Sequence, residues 1–232
     1  MSARPTLAAE ITALFVGKVE DRWPGKAPSA IGKRATEAVL RLEENGFLED
    51  SQADLTVHGG PEKAVHHYAA EHMAHWRRIF PEKAAQFLPG CFGENISTIG
   101  LNEQNLCLGD VLTMGSARVQ ITQGRQPCWK LSAHTGIEQM AARFQLSGRT
   151  GWYYRVLESG EVQAGDQLRL AERPHPDWPL ERVIKARFDP RLDPDDARAL
   201  AGLPALSESW RAAFRKKQER AFKEDTRARL EG

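Results

Sequence analysis

The stretch ARVQIT, residues 117–122, alternates apolar with polar side chains. This period of two predicts a half-buried β-strand. Residues 106–114 and 162–170 each contain a Gly-Asp pair before an apolar run, which is typical of a turn that leads into a strand. Residues 11–19 form a further apolar, partly β-branched strand, and residues 36–47 contain the Asn-Gly pair of a hairpin. Many short strands separated by glycine turns predict a β-barrel or another closed sheet.

Helices are predicted in two places among these strands. Residues 62–80 lie between two prolines and carry apolar side chains at helical spacing, and residues 136–146 repeat that pattern. The proline-rich stretch 174–179 is followed by three short helical patterns. We therefore predict a mainly β barrel domain over residues 1–173 and a helical subdomain of three helices over residues 174–232.

The amino-acid composition and net charge exclude several classes of protein. The 232 residues are 41% apolar and 27% charged, which is typical of a globular protein. Lys+Arg is 32 and Asp+Glu is 31, a net charge of +1 that argues against stable nucleic-acid binding. No apolar run is long enough to cross a membrane, and the first ten residues do not resemble a secretory signal. Three cysteines without a CxxC pair indicate a reducing compartment, so we expect a cytoplasmic protein.

The segment RQPCWK, residues 125–130, contains the strongest candidate for chemistry. Cys128 has Arg125 and Lys130 close by in sequence. Cations near a sulfur favour the thiolate, which is the form that attacks electrophiles or binds metal. A buried structural cysteine with two solvated cations is the alternative. Cys91 and Cys107 are weaker candidates, because Cys91 has no adjacent cations and Cys107 lies in an apolar strand, where we expect it in the core.

Other polar positions each allow two interpretations. His58, Gly59 and Gly60 precede Pro61, so backbone N–H groups could bind an anion there, or the glycines could simply form a turn. Asn95 ends the GCFGEN loop and could line a pocket or cap a turn.

Cations and histidines raise two more alternatives. Arg155 lies in an aromatic and cationic stretch and could bind a phosphate or stack on a ring. His67, Glu71 and His75 are four apart on the predicted helix, which allows a zinc site or, as we prefer, a solvated face.

Taken together, these segments resemble the MOSC family, named for the C-terminal domain of molybdenum-cofactor sulfurases, and within it the YiiM-like subgroup. The resemblance runs from about residue 14 to residue 170. It rests on several spaced motifs in one order, which are SAIGK (29–33), QADL (52–55), VHGGP (57–61), GCFGEN (90–95), RQPCWKL (125–131) and GRTGWY (148–153).

The resemblance implies a β-barrel that holds a pterin-based molybdenum cofactor. Cys128 would be the catalytic cysteine and the thiolate ligand of molybdenum. Asn95 and Ser29 match cofactor contacts of related amidoxime-reducing proteins. The remaining positions implied to contact the pterin or its phosphate are Lys33, His58, Gly59, Gly60, Arg125, Lys130 and Arg155. Two departures are Gly124 and Pro28, where relatives often have Pro and Lys.

The activity implied is the reduction of N-hydroxylated compounds, for example 6-hydroxylaminopurine, to the amine and water, in detoxification of N-hydroxylated bases. Three scattered cysteines cannot form a Cys₄ iron–sulfur site, and no GxGxxG motif follows a strand. Electrons would then come from a separate protein such as a flavoprotein reductase. The expected partners are this donor, a small N-hydroxylated substrate and a second copy of the chain in a possible homodimer, without a membrane. A carrier of the cofactor or of sulfur on Cys128, without turnover, is the alternative.

Overall fold

The computed structural model describes residues 7–54, 59–218 and 225–231, and these contain eleven strands and seven α-helices. The strands are β1 (Ala8–Val16), β2 (Arg34–Thr36), β3 (Leu40–Glu43), β4 (Gly46–Phe47), β5 (Val65–Ala69), β6 (Ile96–Thr98), β7 (Val111–Met114), β8 (Ala117–Gly124), β9 (Trp152–Glu158), β10 (Gly160–Val162) and β11 (Gln167–Glu172). The helices are α1 (His72–Ile79), α2 (Trp129–Thr135), α3 (Met140–Ser147), α4 (Leu180–Phe188), α5 (Pro194–Ala201), α6 (Glu208–Lys217) and α7 (Arg227–Leu230).

Seven strands close into a barrel in the order β1-β11-β7-β8-β9-β5-β6, and β6 returns to β1. The first half of β1 pairs with β11, its middle pairs with β6, and its end pairs with β2. All neighbours in the ring are antiparallel except β5 and β6. A separate small sheet contains β10, β3 and β4. The predicted β-barrel is therefore confirmed.

The alternation that predicts β8 reflects its position in the barrel wall. Val119 and Ile121 are fully buried, whereas Arg118 and Gln120 are only half-buried. The inward residues belong to one hydrophobic cluster that also includes Ile184 from α4. The C-terminal helices therefore share the core of the barrel, as expected for an appendage docked against it.

The predicted helix over residues 62–80 is wrong in its first half. Residues Pro61–Lys63 form one 3₁₀ turn, Val65–Ala69 is a barrel strand, and only His72–Ile79 is α-helical. All five residues of β5 are buried between β9 and β6, so the segment has no polar face to reveal a period of two. Tertiary pairing therefore decides the conformation of an ambiguous sequence.

The other predictions of secondary structure agree more closely with the structure. The hairpin is confirmed by pairing of Leu42 with Phe47, although its turn is at Glu44-Asn45. The helix predicted over residues 136–146 begins later, as α3, and α2 before it was not predicted. The three predicted C-terminal helices are confirmed as α4, α5 and α6. Part of the charged tail, residues 219–224, lies outside the described residues. Within those that are described, no helix is both long and apolar enough to cross a membrane.

Candidate functional site

A cleft with a volume of about 90 Å³ opens beside the end of β8. Four cationic side chains line it, namely Lys33, Lys63, Arg125 and Lys130. Its other polar lining residues are Ser29, Asp50, Ser51, Gln52, His66, Asn95, Cys128 and Tyr153. Six of the predicted site residues therefore meet in one place, which are Ser29, Lys33, Asn95, Arg125, Cys128 and Lys130.

Cys128 lies in the turn that joins β8 to α2. Its backbone is extended (φ −134°, ψ 173°), and its carbonyl oxygen accepts the N–H of Leu131 at 3.0 Å. The Cys128 side chain is half-buried. Burial raises the pKa of the Cys91 and Cys107 thiols, which favours their neutral form. Among the three cysteines, Cys128 alone lines the cleft.

Arg125 is anchored on the cleft wall by the GCFGEN loop. Its Nη1 donates to the carbonyl oxygen of Phe92 at 2.6 Å and lies 3.4 Å from His66 Nδ1. His66 Nε2 donates to the Thr150 carbonyl oxygen at 3.2 Å, so Nδ1 is left as an acceptor. Burial, followed by the charge of Arg125, holds the pKa of His66 well below its ordinary value. His66 is therefore a neutral neighbour of a fixed cation.

Lys33, Asp50 and Asn95 form a buried network at the other side of the cleft. Lys33 pairs with Asp50 Oδ2, which also accepts Asn95 Nδ2 at 2.8 Å. Asp50 Oδ1 accepts the backbone N–H of Gly17 at 2.7 Å. Asn95 Oδ1 accepts the N–H of His66 at 3.2 Å. Burial lowers the pKa of Lys33, and the charge of Asp50 opposes that shift. The Asn95 amide is thus held by protein groups at the cleft surface.

Lys130 fixes the segment that brings Ser29 to the cleft. Lys130 is the second residue of α2, and its Nζ donates to the carbonyl oxygen of Pro28 at 2.8 Å. Ser29 pairs through its backbone with Glu20, and its Oγ accepts the N–H of Ile31 at 3.3 Å. Pro28 and Lys130 are 102 residues apart in sequence but in contact in the fold.

The GCFGEN loop is shaped by its own glutamate. The fully buried Glu94 accepts the N–H of Gly90 at 2.6 Å and of Phe92 at 3.0 Å. These bonds orient the Phe92 carbonyl that accepts from Arg125. Gly93 has a φ of +75° and lies so close to Ile31 that an added Cβ would be 2.7 Å from Ile31 Cγ1.

The glycine pair before Pro61 is not among the described residues that line the cleft, but it contacts Gln52, which does line it. Gly60 donates its N–H to Gln52 Oε1 at 3.1 Å, and Gly59 lies against the same side chain. Gln52 Nε2 donates to the Asn45 carbonyl oxygen at 2.8 Å, so this amide joins the glycine pair to the β3–β4 hairpin. His58 lies outside the described residues.

Arg155 is not among the described residues that line the cleft. Its Nη2 lies 3.1 Å from a Glu62 carboxylate oxygen and donates to the Ala205 carbonyl oxygen at 3.2 Å. This side chain joins β9 to the loop before α6, which is a structural contact between the barrel and the helices.

The zinc alternative is wrong within the described part of the chain, which contains no group of three metal-ligating side chains. His67 is not on a solvated face either. It is fully buried in β5, with Nδ1 2.9 Å from the Tyr154 hydroxyl and Nε2 2.9 Å from Thr98 Oγ1.

Comparison with known proteins gives two family matches along the chain. A model of the MOSC domain matches residues 54–169, half of the chain, and a model of the YiiM-like 3-alpha helix domain matches residues 178–220. The chain belongs to the MOSC domain family.

Individual relatives support this assignment. Protein YiiM of Escherichia coli K12 is 37% identical over 219 residues, which are 94% of this chain and 97% of YiiM. The crystal structure of YiiM from Escherichia coli superimposes with a TM-score of 0.80 at 32% identity, covering 96% of this chain and 99% of that one. A protein named "Reductase" from Gibberella moniliformis is 35% identical over 167 residues, which are 70% of this chain but 30% of that protein.

Several residues of this MOSC cleft were not found from the sequence. The sequence pattern places His66 in a predicted helix, and Tyr153 belongs to the GRTGWY motif without a role of its own. Asp50 carries no local signal, because its hydrogen-bond partners Gly17 and Asn95 are 33 and 45 residues away in sequence. Only the QADL motif, which includes Gln52, pointed to this part of the chain.

Proposed function

We propose that this protein reduces N-hydroxylated compounds to amines with a molybdenum cofactor that is bound in the cleft through Cys128. The observation that carries the proposal is one half-buried thiol, Cys128, in a cleft lined by four cationic side chains. The MOSC family is associated with this cofactor, which makes the same prediction independently.

The donor set fits a pterin-based molybdenum cofactor. A thiolate is a soft ligand that suits a transition metal beside dithiolene sulfur. The pterin carries an anionic phosphate, and Lys33, Lys63, Arg125 and Lys130 give the cleft an excess of positive charge over its one lining carboxylate, Asp50. Cys128 would hold the metal, and Arg125 and Lys130 on either side would bind the anionic part.

The reaction breaks the N–O bond of R–NH–OH, consumes two electrons and two protons, and yields R–NH₂ and water. When bound, the cofactor supplies the two-electron, oxygen-atom chemistry. The electrons would come from an external flavoprotein reductase. A carrier that binds the cofactor or sulfur without turnover is distinguished by the experiment below.

The residues of the chain would bind, orient and hold protons. Burial raises the pKa of Tyr153, so its hydroxyl keeps its proton at neutral pH. The neutral His66 ring contacts the Tyr153 ring with centroids 5.0 Å apart and planes tilted by 37°, and this contact helps to fix the ring at the cleft wall. Tyr153 can therefore donate a hydrogen bond to a ligand oxygen. Because its hydroxyl is neutral, it does not pair with Arg125 in place of an anionic ligand.

The test is metal and pterin analysis of protein made in a host that synthesises the cofactor. We expect near-stoichiometric molybdenum and pterin in the wild type and loss of molybdenum in Cys128→Ser. Cys107→Ser is the matched control, because Cys107 is buried away from the cleft. Absence of pterin from the wild type would contradict the proposal.

Turnover separates a reductase from a carrier. The loaded protein is mixed with 6-hydroxylaminopurine and a reduced flavoprotein reductase, and the formation of adenine is followed. Cofactor binding without reduction by any donor would identify a carrier.

A further inference from the structure

The turn that presents Cys128 is supported from behind by the C-terminal helices. The support begins at the end of β8, where Ser207 donates its backbone N–H to the Thr122 carbonyl oxygen at 3.0 Å. Gln123 Oε1 accepts from Ser209 Oγ at 3.4 Å. Both contacts come from the start of α6.

Gly124 continues this contact by close packing. A Cβ at this position would be 2.3 Å from Ile184 Cγ1 and 3.1 Å from Trp210 Cη2. The glycine lets α4 and α6 approach the backbone just before Cys128.

Two arginines hold the turn itself. Arg187 of α4, which is 5% exposed, donates from Nη2 to Gln126 Oε1 at 3.3 Å. Arg229 of α7 donates from Nη1 to the Pro127 carbonyl oxygen at 2.5 Å and from Nη2 to Gln145 Oε1 at 2.8 Å. Both guanidinium groups lie within 6 Å of the Phe188 ring, at 5.8 and 5.9 Å from its centroid.

Arg125 is the exception within residues 122–127. Its side chain points the other way, to Phe92 and His66 on the cleft wall. The turn is therefore held on two sides, by the barrel through Arg125 and by the helices through its other residues.

We propose that Arg187 and Arg229 are positioning residues, which hold the Gln126-Pro127 turn so that the Cys128 sulfur faces the cleft. Neither side chain lines the cleft, so each acts through the turn. Their role in placing a cofactor ligand rests on the proposed function. Their effect on the exposure of the Cys128 sulfur can be measured in protein that contains no cofactor.

The test is the rate of Cys128 alkylation by iodoacetamide in the full chain, made in a host without molybdopterin synthesis. Peptide mass spectrometry distinguishes Cys128 from Cys91 and Cys107. Because the held turn keeps the thiol half-buried, we expect Arg229→Met to raise the alkylation rate constant about threefold or more. Arg229→Lys keeps a donor for the Pro127 carbonyl and should return the rate toward that of the wild type.

The matched control is Arg182→Met. Arg182 is also on a C-terminal helix, but it donates to Asp196 at 3.0 Å and lies over the Trp178 ring, away from the turn. A wild-type rate in Arg229→Met, or an equal increase in Arg182→Met, would overturn the proposal. We expect Arg187→Met to raise the alkylation rate as Arg229→Met does. Because Arg187 is buried, its replacement can also impair folding, so the Arg229 variants are the deciding test. Wild-type protein that binds no molybdenum would contradict the proposed function and leave the alkylation result intact.

Discussion

Lys33 and Asp50 form an ion pair in the cleft with side chains only 7% and 5% exposed. The same Asp50 oxygen accepts a hydrogen bond from the Asn95 amide. One carboxylate thus fixes both a cation and an amide that the MOSC resemblance assigns to the cofactor. Asp50 therefore contributes to the site by orienting Lys33 and Asn95.

Asp50→Asn is expected to lower the free energy of unfolding by about 3 kcal/mol, because Lys33 would keep a buried charge without its partner. Urea unfolding of the purified protein measures the change. The double variant Lys33→Met/Asp50→Asn should recover part of the loss, since the unpaired charge is gone.

Asp196→Asn is the control for this pair. Asp196 pairs with Arg182 at 3.0 Å, but the side chains are 39% and 49% exposed, so we expect little change in stability. Equal effects of Asp50→Asn and Asp196→Asn would show that burial of the Lys33 pair has no energetic consequence.

His67 makes stability depend on pH. Burial lowers its pKa to about 3, while the unfolded chain retains a value near 6.5. Between these values the unfolded state binds a proton that the native state does not, so stability falls as the pH falls from about 6.5 toward 3. His67→Gln should reduce this slope by about 1.4 kcal/mol per pH unit.

Urea unfolding of wild type and His67→Gln at pH 7, 6 and 5 measures the two slopes. Buried His66 is present in both proteins, so its contribution cancels. Parallel curves would mean that His67 is protonated equally in the folded and unfolded states.

Gly93→Ala is expected to cost more stability than Gly25→Ala. Both glycines have similar positive φ angles, +75° and +71°, so both substitutions carry about 1–2 kcal/mol of backbone strain. Only Gly93 adds a clash, because its Cβ would be 2.9 Å from the Ile31 carbonyl oxygen, whereas nothing lies within 4 Å at Gly25. Thermal unfolding of the two variants gives the comparison, and equal losses would contradict the close approach of the GCFGEN loop to Ile31.

Lys130→Met is expected to reduce the bound pterin about tenfold at limiting cofactor, which corresponds to the loss of one charged hydrogen bond. Lys26→Met is the matched control, because Lys26 and Lys130 both lie over the Trp129 ring but only Lys130 lines the cleft. Oxidative fluorescence of the released pterin measures both proteins. Similar losses in the two variants would assign the effect to Trp129 rather than to the cleft.

Local sequence patterns predicted the parts of the fold that have one polar and one apolar face. The alternation around Val119 in β8 is one example. The start of α6 was predicted from a residue type instead, because Ser207 is a typical capping residue. β5 was mistaken for a helix because burial on both faces removes the pattern that distinguishes the two structures. Cys128 is predicted as a site residue from the cations close to it in sequence. The role of Asp50 depends instead on partners at positions 17, 33 and 95.

The closure of the barrel by β1 and β11 has a consequence for folding during synthesis. Residues Ala8–Glu10 cannot complete their pairing until Gln167–Arg169 has left the ribosome, so the ring joins segments nearly the whole domain apart. Such long-range closure is slow, because the entropy of the intervening chain must be lost before the pairing stabilises the product. The nascent barrel therefore passes through a stage with open strand edges that can pair with other chains, and pairing of β1 with β11 removes these edges.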